Sequence, residues 1–241
     1  MATKPHSEAK SPPDARGKIV DALMELAAGR RFEDISVRDI SKAAGVSLAD
    51  FRDAFPSKGA VLAGFTRRID RIVLAQDDGE LSEENSRERL FDVLMRRLEA
   101  MAPYREGLRE VVAWLRREPA AALAMNQVTL SSMRFMLEAA GIEAEGASGA
   151  IKLQGLALAW ARVLHVWLDD DEPTLSKTMA ELDRVLTRGE RAVAGLDRVS
   201  ALTSPLNAFA KAAFDAGRRV RRGGSRPARK AEPGDEDVTA L

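Results

Sequence analysis

The 241-residue chain contains no cysteine, which excludes a disulfide framework and a thiolate metal site and fits a reducing cytoplasm. Aromatic residues are scarce, 5% of the total with one tyrosine, and this argues against a sheet-rich protein, since strands favour aromatic and β-branched side chains. There is no net charge to exploit either. Lys plus Arg and Asp plus Glu number 37 each, so any affinity for nucleic acid must come from a local patch. Histidine occurs twice, as His6 and His165. With no cysteine and no Ser–His–Asp or paired-carboxylate pattern, the sequence reads as a non-enzyme without a cofactor. The longest apolar stretch, Leu153 to Leu168, is interrupted by Gln154, Arg162 and His165 and falls short of the ~20 apolar residues that cross a bilayer. It predicts a buried helix. Met1 to Asp14 lacks the apolar run of a signal peptide and reads as a disordered arm.

What is abundant is helix-forming. Ala, Leu, Arg and Glu dominate, and helix boundaries recur along the chain. Arg16 to Ala28 places Ile19, Leu23, Leu26 and Ala27 on one face, with Gly29 expected as a left-handed stop. Ser36-Val37-Arg38-Asp39 and Ser47-Leu48-Ala49-Asp50 are capping-box patterns opening two short helices, the first ended by Gly45 and the second broken by Pro56. Ser57 begins a longer helix with Val61, Leu62, Phe65, Ile69 and Ile72 or Val73 as its stripe. Further helices follow over Leu90 to Met101, Leu108 to Leu115, Pro119 to Ala140 with Gly141 as stop, Ala150 to Leu168 after a Gly146 to Gly149 loop, and Pro173 to about Val193. No alternating strand pattern or internal repeat is present.

Two short helices joined by a glycine-containing turn, with one helix before and a long one after, form a helix-turn-helix head. Its second helix enters the major groove, where its N–H groups and the Ser47 hydroxyl can meet phosphate oxygens. The run Arg31-Phe32-Glu33-Asp34-Ile35-Ser36-Val37-Arg38-Asp39-Ile40-Ser41-Lys42-Ala43-Ala44-Gly45-Val46-Ser47, followed by Phe55-Pro56-Ser57-Lys58, resembles the DNA-binding head of the tetracycline-repressor (TetR) family over residues 16–66. The resemblance implies an all-α fold with an N-terminal head and a C-terminal helical effector and dimerisation bundle. It also implies a homodimer reading adjacent major grooves of double-stranded DNA, and a cytoplasmic regulator, expected to be a repressor. The residues it points to for DNA are Ser36, Val37, Arg38, Lys42, Ser47, Leu48, Ala49, Asp50, Arg52 and Lys58. The chain departs from the pattern at Arg52, where an aromatic is expected, and at Asp50 and Asp53, which place carboxylates on a surface meant for a polyanion. Between Arg16 and Thr66 eight bases face seven acids, leaving one net positive charge. Arg38, Lys42, Arg52 and Lys58 are the candidates for a positive edge, and Asp is able to accept from cytosine N4.

The body is expected over residues 67–200, where Trp114, Met125, Met133, Phe135, Met136, Trp160 and Trp167 are large, adaptable side chains suited to an apolar pocket or, equally, to ordinary core. An apolar or lipid-like effector follows from the pocket reading. Ala157, Leu158, Ala161, Val163 and Leu164 make one helix apolar around most of its girth, and Ala157, Ala161 and Leu164 are the expected dimer contacts. The body also resembles the lipid-binding accessory proteins of ubiquinone biosynthesis that share this fold without operator binding. Under that resemblance residues 201–222 form an amphipathic basic helix, Leu206, Phe209 and Phe214 entering a membrane interface and Arg218, Arg219, Arg221 and Arg222 meeting anionic headgroups. The other reading of that helix is docking on the body with a solvated basic end. His165 with Asp169 to Glu172 has the composition of a cation site, but acids before a proline are usually a solvated loop, and no metal is expected. Residues 1–15 and 223–241 are expected as disordered arm and tail.

Overall fold

Ser36, Ser47, Ser57 and Asn85 each precede a helix and accept a hydrogen bond from the backbone N–H three residues on, satisfying a donor that helix geometry leaves unpaired. A computed structural model describes residues 15–76 and 85–194, and among these the chain is helical with no strand. The helices are α1 (Ala15–Gly29), α2 (Val37–Ala44), α3 (Leu48–Ala54), α4 (Lys58–Leu74), α5 (Ser86–Met101), α6 (Arg105–Arg117), α7 (Pro119–Ala139), α8 (Gly146–Leu168) and α9 (176–194). Short 3-10 turns precede α2 at Phe32–Asp34 and α6 at Ala102–Tyr104.

The expected capping boxes and the stops at Gly45 and Gly141 are present, both glycines having positive φ. Three boundaries differ. Gly29 is the last residue of α1 but is not left-handed; the chain leaves instead through Arg30, whose guanidinium reaches Asp34 O at 3.0 Å and closes the following turn. Gly146 to Gly149 is the first turn of α8 rather than a loop, with Gly149 N donating to Glu145 O at 3.2 Å. Pro173 lies in a turn ahead of α9, and Leu175 adopts φ 50 before the helix begins. The acidic run there is not uniformly solvated. Asp170 is fully buried and accepts from Thr178 N at 2.9 Å, Thr178 Oγ1 at 2.7 Å and Glu172 N at 3.3 Å. Burial opposes its charge, but these donors outweigh it and hold the carboxyl below its ordinary range. Arg105 closes the same corner, donating to Trp167 O and Asp170 O at 2.5 Å each.

The buried apolar side chains form one cluster that runs from Ile19 to Leu186 without a break between head and body. The 66/67 boundary falls inside α4, whose Val61, Leu62 and Phe65 and then Ile69 and Val73 belong to the same cluster. α1 packs on α2, α3, α4 and α6, while α4 also packs on α5 and α7, and α7 on α8. The approach of α6 to α1 is set by Gly107, where a Cβ would stand 2.5 Å from Met24 O.

Deep in the body Arg97 of α5 forms an ion pair with Asp70 of α4, and Ser132 of α7 donates to Asp70 Oδ1 at 2.7 Å. All three are buried. The guanidinium lies 5.1 Å from the Trp160 ring centroid, and its Nε is buried with no hydrogen-bond partner. Burial lowers the Arg97 pKa from its ordinary value against the pull of Asp70. Removing one partner strands a charge in a low dielectric, whereas replacing both with apolar groups does not. Asp70→Ala is therefore expected to lower stability by about 3–5 kcal/mol, and the double replacement Asp70→Leu with Arg97→Met to recover most of that loss, read by urea unfolding. At the other junction, Gly107→Ala must displace α6 from a backbone carbonyl and is expected to lose about 1–3 kcal/mol in the same measurement; an unchanged midpoint contradicts the close-approach role.

Candidate nucleic-acid interface

The turn after α1 is gripped from two sides. Phe32 is fully buried, its ring centroid 4.4 Å from that of Trp114 on α6, and its N–H donates to Glu110 Oε1 at 3.0 Å. From α4, Lys58 Nζ donates to Phe32 O at 2.5 Å and Ile35 O at 2.8 Å and lies 4.3 Å from the Phe32 ring centroid. Burial pushes the Lys58 ammonium below its ordinary pKa, opposed by Glu33 and Asp34. Lys58 thus anchors α4 to the turn ahead of α2. It does not stand with the exposed cations of the head.

α2 and α3 meet through a left-handed Gly45 (φ 64), Val46 N donating to Ser41 O at 3.0 Å. Ile40 and Phe51 are buried on the inner side. In both capping boxes the serine and the carboxylate face each other. Ser36 Oγ donates to Asp39 Oδ2 at 2.7 Å and Ser47 Oγ to Asp50 Oδ2 at 2.6 Å; each carboxylate also accepts from its serine's N–H, and each serine oxygen from the carboxylate residue's N–H. The serine hydroxyl, then the serine N–H, holds Asp39 and Asp50 below the usual carboxylate range. The Ser47 proton expected to meet phosphate is directed to Asp50. Asp50 is in turn a helix cap, not an outward acidic reader.

The cations of the head divide in the same way. Arg16 lies 4.7 Å from the Phe55 ring centroid, Arg30 is 3.7 Å from Asp39, and Arg31 pairs with Glu33. Arg38, Lys42 and Arg52 are exposed and make no hydrogen bond or ion pair among the described residues. Arg38 and Lys42 are one turn apart on α2, as Leu48 and Arg52 are on α3. Val37 is half-buried, Ala49 is exposed, and Leu48 keeps 46% of its surface in water. Asp53, also exposed, is the acid on α3 that faces outward without a capping role.

With this geometry the chain can be set beside known proteins. No family model matches the sequence, and no curated protein does. Among solved structures it is similar to a TetR transcriptional regulator from Nitrosomonas europaea, with 22% identity over 73% of this chain and 97% of that one and a TM-score of 0.58. It is also similar to a TetR transcriptional regulator from Rhodococcus sp. RHA1, with 20% identity over 73% and 95% of the two chains and a TM-score of 0.52. The fold is the TetR-regulator fold.

Within this fold the body residues expected around one pocket are dispersed. Met136 and Trp160 lie against Arg97 of the buried ion pair, Met133 is buried in the core, Trp167 lies under Arg105, Trp114 packs on Phe32, Met125 is half-buried on α7, and Phe135 is 51% exposed. A recess of about 440 Å³ lies between α7 and α8, lined by Leu130, Arg134, Leu153 and Gln154 among others, and none of the expected residues lines it. Of the expected dimer contacts, Ala157 is buried in the chain's own core, Ala161 is exposed and Leu164 half-buried. His165 Nδ1 lies 3.1 Å from an Arg116 nitrogen and 3.7 Å from Asp169, and no group of metal-ligating side chains occurs among the described residues. No described helix is long and apolar enough to cross a membrane. The basic terminal helix expected over residues 201–222 lies outside the described residues. Because Ser47 is a cap, Ser47→Ala is expected to lower the melting temperature by about 2–4 °C, and a melt indistinguishable from the parent contradicts that role.

Proposed function

We propose that this protein is a DNA-binding transcriptional regulator, a repressor, that works as a homodimer with its two heads in successive major grooves of double-stranded DNA. The observation that carries the reading is the sorting of charge on α2 and α3. Asp39 and Asp50 are turned into caps, while Arg38, Lys42 and Arg52 are exposed and unpaired. The near-neutral balance of the head therefore understates the positive charge it can bring to DNA. The partner protomer meets the open face of α8, where Ile151, Leu158 and Ala161 are exposed and Leu164 half-exposed, an apolar stripe of the sort buried between helices.

A small apolar effector enters the body among Met133, Met136 and Trp160. Making room there strains the Arg97–Asp70 pair, and Asp70 lies on α4, the helix that follows α3 directly. The unpartnered Arg97 Nε supplies one hydrogen bond to such a guest.

Fluorescence anisotropy against the DNA upstream of its own gene and against random DNA, at two salt concentrations, tests the regulator reading. Upstream DNA is expected to bind more tightly. Each phosphate neutralised contributes about −0.9 to the slope of log K on log salt. Arg38→Ala therefore reduces that slope by about 2 for a dimer, while Lys58→Ala leaves it unchanged. Absence of binding to either DNA overturns the proposal.

A further inference from the structure

We propose that the Leu48–Arg52 stripe of α3 reads a thymine and a guanine within each half-site, so that the bound duplex is selected by one methyl contact and one bidentate guanine contact. The inference rests on the regulator reading and adds the chemistry of the sequence read.

α3 has seven residues, and the structure assigns three of them inward or to its own cap. Phe51 and Ala54 are buried, and the Asp50 carboxylate is held by Ser47. Leu48, Ala49, Arg52 and Asp53 remain outward. Such a surface is poor in phosphate ligands, since it offers one cation and one anion. The phosphate contacts therefore fall to Arg38 and Lys42 on α2, and α3 is left to face the base edges.

In the major groove the thymine 5-methyl is the apolar feature that separates the base pairs, and guanine O6 with N7 is the acceptor pair that fits a guanidinium fork. Leu48, with 46% of its surface open, matches the first. Arg52, exposed and without a partner among the described residues, matches the second. Ala49 between them is small enough to let the helix approach closely. Positions four apart on a helix face are about 5–6 Å from each other, and base pairs are stacked about 3.4 Å apart. The two bases therefore lie within about two steps of each other. Asp53, on the neighbouring stripe, repels phosphate and keeps the helix turned toward the bases.

The test selects duplexes about 30 base pairs long from a randomised pool with the full-length protein. The selected duplex is then remade with deoxyuridine for single thymines and 7-deazaguanine for single guanines. One uridine and one nearby deazaguanine are each expected to weaken binding about five-fold or more. Leu48→Ala should no longer distinguish thymine from uridine, and Arg52→Gln should select adenine where the parent selects guanine, because a glutamine amide pairs with adenine N6 and N7. If the parent selects a duplex but neither modified base changes its affinity by two-fold, or if Arg52→Gln returns the parent's sequence with uniformly lower affinity as a phosphate ligand would, the inference is overturned and the regulator reading stands. A parent that selects no duplex overturns the regulator reading itself. The modified-base measurements use the unaltered protein and do not depend on how well the variants fold.

Discussion

The position of α2 and α3 depends on how closely α6 lies against α1. Gly107 lets a backbone carbonyl of α1 occupy the space of a side chain, and from that seat α6 projects Glu110 and Trp114 onto the Phe32 turn. Lys58 closes the turn from the other side. A short irregular segment is thereby held by a hydrogen bond, an aromatic contact and a caged ammonium, and α2 starts two residues after it. A wider gap between α1 and α6 would withdraw Glu110 and Trp114 from that turn.

The parts of this architecture that were legible in the sequence are those governed by neighbours in the chain. A capping box needs a serine and a carboxylate three residues apart, and both boxes follow from spacing at Ser36 and Ser47. The left-handed Gly45 and Gly141 are equally local. Long-range partners were not legible. Asp70 and Arg97 sit on helices with otherwise ordinary amphipathic stripes, and only the packing of α4 on α5 and α7 buries them together. Asp170 looked like one of several solvated acids, and its burial depends on Thr178, eight residues away. Large apolar residues behave alike in a sequence, so Trp114, Trp160 and Trp167 were read as one group, whereas the fold gives each a different cationic or aromatic partner.

The candidate interface divided along the same line. Its location followed from the two short helices and their turn. The roles of its side chains required coordinates, because Lys58 and Asp50 carry charges that suit or oppose DNA on paper and are both engaged in holding the head together. A charge count over the head treats a caged ammonium, a capping carboxylate and a solvated guanidinium as equals. Only the last is available to a polyanion.

The separation of cap residues from outward residues on α3 has a consequence for descent. Leu48, Arg52 and Asp53 are exposed, and none of the three side chains caps a helix or forms a hydrogen bond or ion pair among the described residues. Substitutions there alter what the surface recognises while leaving the scaffold's stability almost untouched. After gene duplication these three positions are accordingly where sister copies are free to part ways first, and Ser47, Asp50 and Phe51 are where they are held together.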